Sequence, residues 1–365
     1  MIQIKEIISE IERIAPLSLQ EEYDNAGLII GSPDMECTSI LLCIDVTEEV
    51  IHEAKAKGAN LIISHHPLIF SALKKINGKN NVERSVIFAL KNDIAIYAAH
   101  TNLDNIFEGV NHKIAEKLKL SDCKIISPIK KQLKKLVTFI PFSHFEQVSK
   151  AVFETGAGHI GNYDSCSYTT EGKGSFRALD GANPFVGERG SVHYENEIRF
   201  ETIFPVHQQR KVIEALLQSH PYEEVAYDIY PLDNDFSMTG AGLIGRLEKS
   251  MDETAFLKLL KEVFRLQIIR HSAFTSKKIQ KVAVCGGSGS FLLKAAIQPR
   301  ADVFVSGDFK YHQFFDAEMN LLIADIGHFE SEQYTNELFF DILTKKFSTF
   351  AIHFSEVKTN PVYYF

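Results

Sequence analysis

Short runs of aliphatic residues, each followed by a stretch of helical periodicity, recur in the first and last thirds of the chain. This alternation restricts the fold more than any other feature. Ser39–Asp45 (SILLCID), Leu61–Ser64 (LIIS) and Ile94–Ala99 (IAIYAA) are apolar almost throughout, as strands buried on both faces must be. Between them, Glu48–Lys57 and Val82–Asn92 carry the spacing of amphipathic helices. The same grammar returns with Val282–Cys285, Val303–Ser306 and Leu321–Asp325. Strands alternating with helices predict an α/β sheet with helices packed on its faces.

The middle of the chain reads differently. Leu133–Ile140 predicts a strand, and Ser143–Thr155 a helix opened by a serine cap and ended at Gly156 and Gly158. Tyr163–Thr170 and Glu195–Phe204 predict two strands joined by a long, polar, glycine-rich loop. Val206–Ser219 follows as a helix and Glu223–Tyr230 as a closing strand. The order β-α-β-β-α-β is that of a ferredoxin-like unit. The expected architecture is therefore a discontinuous α/β domain, 1–130 with 235–365, interrupted by a ferredoxin-like domain at 131–234.

Composition narrows the class of partner. The 365 residues include 39 Lys+Arg against 47 Asp+Glu, a net charge of −8, with 45% hydrophobic and 24% charged residues. Such a balance excludes collagen, coiled coil and wholesale disorder. It offers no overall electrostatic pull toward nucleic acid or an anionic membrane. The opening segment MIQIKEIISEIERIAPL mixes charges into its apolar positions, unlike a signal peptide or membrane anchor, so a cytoplasmic location is expected. No apolar stretch approaches the roughly 18–20 residues needed to span a bilayer. The five cysteines form no C-x-x-C pair, so neither a disulfide framework nor a structural zinc site is indicated; Cys43 and Cys285 lie in apolar runs as small buried hydrophobes.

Polar clusters gather where the predicted strands end. Asp45 closes the first run and His65-His66 the second, while His100 and Asp104 follow the third in AHTNLD. Gly286–Ser290, Gly307-Asp308 and Gly327-His328 with Glu332 follow the three later runs. Loops leaving the carboxyl ends of strands converge to form ligand sites in α/β proteins. Pro67 favours an extended His66 and helps stop the strand. His328 and Glu332, four apart, share one face if a helix starts there. Each residue alone has an ordinary structural role: solvated loop histidines, a turn or capping aspartate at 104, a helix-start carboxylate at 332. Together, three imidazoles and two carboxylates form a nitrogen and oxygen donor set suited to Zn, Mn, Fe, Co or Ni. Five ligands exceed what one open tetrahedral zinc needs and suit two divalent metal ions sharing a bridging carboxylate. The segment CGGSGS (Cys285–Ser290) reads either as a cradle for a phosphate or carboxylate or as a tight strand–helix turn, the commoner meaning.

These clusters, in this order, resemble the Nif-three-like family, also described as GTP cyclohydrolase type-one class-two homologues or dinuclear metal-centre proteins. The matching stretches are EEYDNAGLIIG, LLCIDVTEEV, LIISHHPLIF, AAHTNLD, VAVCGGSGS, VFVSGDFKYH and IGHFESE, spread over both outer segments. The resemblance implies metal ligands at His65, His66, Asp104, His328 and Glu332, with Glu332 as the bridge. Asp45, His100, Gly307, Asp308 and His312 fall in adjoining motifs, and His100 carries over as an acid/base candidate able to hold a water in place. It also implies a homo-hexameric ring of two stacked trimers, and an inserted domain similar to the nitrogen-regulator and CutA type.

Two functions follow as expectations. The first is a metal-dependent hydrolase, of cyclohydrolase or phosphoesterase type, acting on a nucleotide or related small substrate. The alternative is a non-catalytic, metal-dependent regulatory or scaffold protein whose inserted domain binds a small ligand or partner.

Overall fold

Strands that must be buried on both faces need covering layers, and the chain supplies them by building two sheets. The computed structural model describes residues 2–365, which divide into two units: one joins the chain up to Pro128 to Ser237–Phe365, and the other is Ile129–Phe236.

In the first unit a five-stranded sheet has the order Gly27–Ile30, Ala95–Ala98, Leu61–Ser64, Ile40–Cys43, Ile352–Phe354. Four of these strands are parallel, and Gly27–Ile30 runs antiparallel at one edge. The three central strands are buried at every position. Parallel neighbours require crossovers, here the helices Glu48–Ala56 and Asn81–Lys91. Thr47 and Asn80 cap them by accepting the amides of Val50 and Glu83.

A six-stranded sheet has the order Arg270–His271, Leu322–Asp325, Val303–Gly307, Lys278–Ser288, Gly240–Asp252, Ser121–Pro128. Val303–Gly307 is parallel to both its neighbours; the remaining pairs are antiparallel. One hydrophobic cluster serves both sheets. Ile40, Leu42, Leu61 and Ile63 belong to it from the first, and Val282, Val284, Val303 and Val305 from the second, with Ile7, Phe256 and Phe339 from helices between and around them. The alternate residues Leu41 and Ile62, or Ala283 and Phe304, face separate clusters on the outer sides. This period-2 division follows from the pleat. Truncating a wholly buried ring such as Phe339 to alanine costs about 3–5 kcal/mol. The single α/β sheet expected from strand–helix alternation is instead two sheets packed over a common core, because local periodicity does not say which strands pair.

The second unit is a four-stranded antiparallel sheet in the order Ser167–Arg177, Val192–Pro205, Leu133–Pro141, Tyr227–Leu232. Helices Phe145–Glu154 and Gln209–Ser219 cover one face, packing Val148, Val152, Val212 and Leu216 on Leu136, Ile140, Phe200 and Phe204. Three local expectations need correction. Ser143 does not cap the first helix; a 3₁₀ turn, Phe142–His144, precedes it, and the Ser143 hydroxyl lies against its neighbour His144. Of the residues read as a long polar loop, 171–177 and 192–194 instead continue the hairpin, with Gly172, Gly174 and Phe176 paired to Glu197, Glu195 and His193, while 178–191 remain a loop. Backbone pairing overrides a composition that reads as loop. The closing strand begins at Tyr227, later than the expected Glu223.

Among the described residues, no helix is long and apolar enough to cross a membrane.

Candidate metal centre

The strand Leu61–Ser64 ends at a bend, and there the backbone leaves the regular pleat. Adjacent side chains would otherwise point to opposite faces. The bend instead lets both imidazoles turn to one place, with His65 and His66 ring centres 4.9 Å apart. His100 stands just before a single helical turn, Thr101–Asp104, and its ring lies 5.3 Å from each of those two. A short helix, His328–Glu332, starts after Gly327, whose φ of 92° is open to glycine. The i, i+4 spacing then puts His328 and Glu332 on one face, and the His328 ring lies 5.2 Å from that of His66.

Each imidazole is held from behind at Nδ1. That of His65 donates to the Ala99 carbonyl (2.9 Å), that of His66 to Asp45 (2.7 Å), that of His100 to Asp24 (2.8 Å) and that of His328 to Asp308 (2.7 Å). An acceptor at Nδ1 fixes the proton there and leaves the Nε2 lone pair free, the arrangement typical of metal-binding histidines. The Nε2 atoms of His66 and His328 face each other at 3.3 Å. The Glu332 carboxylate sits among three rings: Oε1 is 3.6 Å from His65 Nε2, and Oε2 is 3.1 Å from His66 and 3.3 Å from His328. Asp104 Oδ1 is 3.7 Å from His65 Nε2.

With the single proton of each imidazole on Nδ1, three buried atoms at this place, His65 Nε2, Asp104 Oδ1 and Glu332 Oε2, have no hydrogen-bond partner. A buried polar atom left unpaired costs about 1–3 kcal/mol, and three converging ones mark a site that another group completes. Nitrogen and carboxylate oxygen donors fit a divalent transition ion. The donor atoms of His65, His66 and His100 all lie within 4.8 Å of one another, as do those of His66, His328 and Glu332. The geometry therefore groups His100 with His65 and His66, while Asp104 meets the cluster through His65.

Electrostatics tie these groups together. Burial disfavours the imidazolium of His66, but Asp45 and Glu332 outweigh it and hold the pKa at about 10. The same opposition, with Glu332 and Asp308 prevailing, leaves His328 at about 9. His65 is also raised, with burial overcome by Asp104 and Glu332. Glu332 is held far below the usual carboxylate range, the histidines outweighing its burial. Asp104 moves up, mainly through burial and then the Glu332 charge. Asp24 falls to about 2, its burial outweighed by the hydrogen bonds from His100 and Thr101.

The glycine-rich segment has a use different from a phosphate cradle. The amides of Gly286, Gly287 and Gly289 are taken by side chains of Asn111, Ser331 and Ser306. A Cβ on Gly287, at φ +60°, would collide with the Glu332 carboxylate. Gly307 likewise lets its strand end approach the Gly327–His328 backbone. His312 is exposed on a 3₁₀ turn against Tyr311. Asp24, whose only sequence signal was its place in EEYDNAGLIIG, was not singled out as a partner of His100. The tail contacts were also not foreseen: Thr359 donates to Asp45 and Asn360 to Glu330.

Two cavities adjoin the cluster. One of about 430 Å³ is lined by His66, His100, Asp104 and Glu332 with Tyr23 and Phe70. The other, about 450 Å³, is lined by Asp45, His66, Arg270 and His328 with tail residues Asn360 and Tyr364.

The sequence profile of the Duf34/NIF3 (NGG1p interacting factor 3) family matches residues 2–361. The GTP cyclohydrolase 1 type 2 homolog of Bacillus subtilis is 40% identical over 363 residues, covering 98% of this chain and 97% of its own. The protein of the same name from Halalkalibacterium halodurans is 43% identical over 324 residues, 88% of this chain and 87% of its own. Among solved structures, a Bacillus cereus protein related to NIF3 is 40% identical with a TM-score of 0.88, covering 100% of this chain and 99% of its own.

Proposed function

The chain belongs to the Duf34/NIF3 family, and from that premise we propose that it is a dinuclear metal-dependent hydrolase of a nucleotide or related small substrate. The observation that carries the reading is the convergence of Nδ1-tethered histidines on two carboxylates, with three buried donor atoms left unpaired. His65, His66, Asp104, His328 and Glu332 would hold the ions, and the contacts of Glu332 with three imidazoles favour it as the bridge. When bound, two such ions polarise a carbonyl or phosphoryl oxygen and lower the pKa of water.

The chain's own residues do the rest. Asp45 and Asp308 orient His66 and His328 and raise their basicity. Asp24 keeps the His100 proton on Nδ1, so Nε2 is available to accept a proton from water and return it to a leaving group. Tyr23, Phe70 and Phe291 give the 430 Å³ cavity an aromatic wall beside these groups, suited to a flat heterocycle. The ions are Zn, Mn, Fe, Co or Ni by donor chemistry.

The unit Ile129–Phe236 is read as an inserted ferredoxin-like domain, supported by its β-α-β-β-α-β order and by central strands that are first and third in sequence. Assembly is read as a homo-hexameric ring of two stacked trimers, and light scattering giving a monomer mass at micromolar concentration would refute that part. For the chemistry, the test is a turnover screen of metal-reconstituted protein across nucleotides and phosphoesters beside Asp104→Ala. Hydrolysis lost in the variant supports the reading; turnover equal in both defeats it.

A further inference from the structure

A cavity of about 740 Å³ belongs to the unit Ile129–Phe236 and uses none of the residues of the histidine cluster. It lies on the sheet face that the two helices leave uncovered. Pairing places Glu197 opposite Gly172, and Arg199 opposite both Thr170 and Phe139, on this face. The segment after the first hairpin strand closes over it with Leu179, Pro184 and Phe185.

The floor is built around one carboxylate. Glu197 is 8% exposed, and its Oε1 accepts the Tyr222 hydroxyl at 3.0 Å. A Cβ on Gly174 would collide with the other carboxylate oxygen, whereas Gly172 has open space above it. Two glycines in a strand otherwise weaken it; here they make room for the carboxylate and for whatever lies beside it. The walls are aromatic: Phe176 and Phe185 stand 6.0 and 6.2 Å from Tyr222 by ring centres, and Phe139 lines the cavity.

An apolar slot with one buried acceptor selects a flat ligand presenting N–H donors. Arg199 adds the complementary requirement. It stands two residues along the same face, with Nε paired to Glu201 at 2.9 Å and its terminal N–H groups left to donate. A guanidinium beside the carboxylate favours a ligand whose donors adjoin a carbonyl oxygen, and titration with spermidine tests whether the exposed Glu171, Glu223 and Glu224 of the same lining draw an ammonium instead. We propose that this cavity binds a heterocycle with a 2-amino-4-oxopyrimidine edge, the ring pattern of guanine and of pterins, its N–H groups on Glu197, its oxygen toward Arg199 and its faces between Phe176, Phe185 and Tyr222. A cavity of this size accommodates such a ring with a substituent.

The test is calorimetric titration of the full-length protein with guanosine, pterin, adenosine and spermidine. Guanosine or pterin binds, the stronger of the two naming the source, and adenosine, which lacks the paired donors and carbonyl, binds at least about ten-fold more weakly. Glu197→Gln removes the charged acceptor and weakens the preferred ligand by about ten-fold or more. Should that variant melt early, Phe185→Ala serves instead; its ring is 50% exposed, so the fold survives while a stacking wall is lost. Equal binding of guanosine and adenosine overturns the proposal. So do preferential binding of spermidine, affinity indifferent to both variants, and no heat from any ligand at about 1 mM.

Discussion

Asp24→Asn probes the support of His100 without touching any of the five groups proposed to hold the ions. The carboxylate takes His100 Nδ1–H at 2.8 Å, the Thr101 amide at 3.0 Å, the Asn25 amide at 2.7 Å and the Thr101 hydroxyl. Its side chain is wholly buried. Asparagine offers one oxygen and an NH₂ group to a site made entirely of donors, so part of this set is left facing another donor. The pKa gives the scale. A fall from an ordinary 3.8 to about 2 is worth about 2 kcal/mol at roughly 1.4 kcal/mol per pH unit. Because the folded pKa is the lower one, this stability is present above the unfolded value and is lost as pH falls through the folded value. About half remains at pH 3, and little below pH 2. The assay is thermal melting of both proteins from pH 7 downward. At pH 7 the variant should melt about 4–8 °C lower, and the gap should narrow as pH falls through 3. A gap under about 1 °C at pH 7, or one that is independent of pH, would refute the reasoning.

Three further outcomes are expected. Chelator treatment should lower the melting temperature, and adding back a fitting ion at about 100 times its Kd should restore about 2.7 kcal/mol; elemental analysis below one ion per chain after reconstitution defeats the dinuclear reading. With His66 at about 10 and His328 at about 9 in the metal-free protein, ions must displace protons. Apparent metal affinity should therefore rise from pH 6 toward 9 with measurable proton release, and a flat profile would count against both histidines as ligands. Gly287→Ala should weaken metal binding by about ten-fold and cost about 1–3 kcal/mol of stability, since the new Cβ meets Glu332 at a positive φ; unchanged titration and melting would dismiss that glycine's role.

How much of this was legible beforehand depends on the range over which each signal acts. The strands Leu61–Ser64 and Val303–Gly307 were readable because burial on both faces writes itself into consecutive residues. His65-His66 at a strand end, and His328 with Glu332 at helical spacing, were readable for the same reason: each pair is local. The continuation of the hairpin through Gly172 and Gly174 was not, since those residues are strand only by virtue of the partner strand. Nor was the consumption of the glycine-rich amides by Asn111, Ser331 and Ser306.

The partners that tune the site arrive from a distance. Asp45 reaches His66 across 21 positions, Asp24 reaches His100 across 76, and His328 meets His66 across 262. Local periodicity carries no information on such pairings, because the free energy that selects them comes from burying a core common to two sheets. Residue types and spacing could nominate the donors. Only the packing of one sheet edge toward the other could turn their Nε2 atoms to one point, supply the acceptor behind each ring, and leave three donor atoms without a partner.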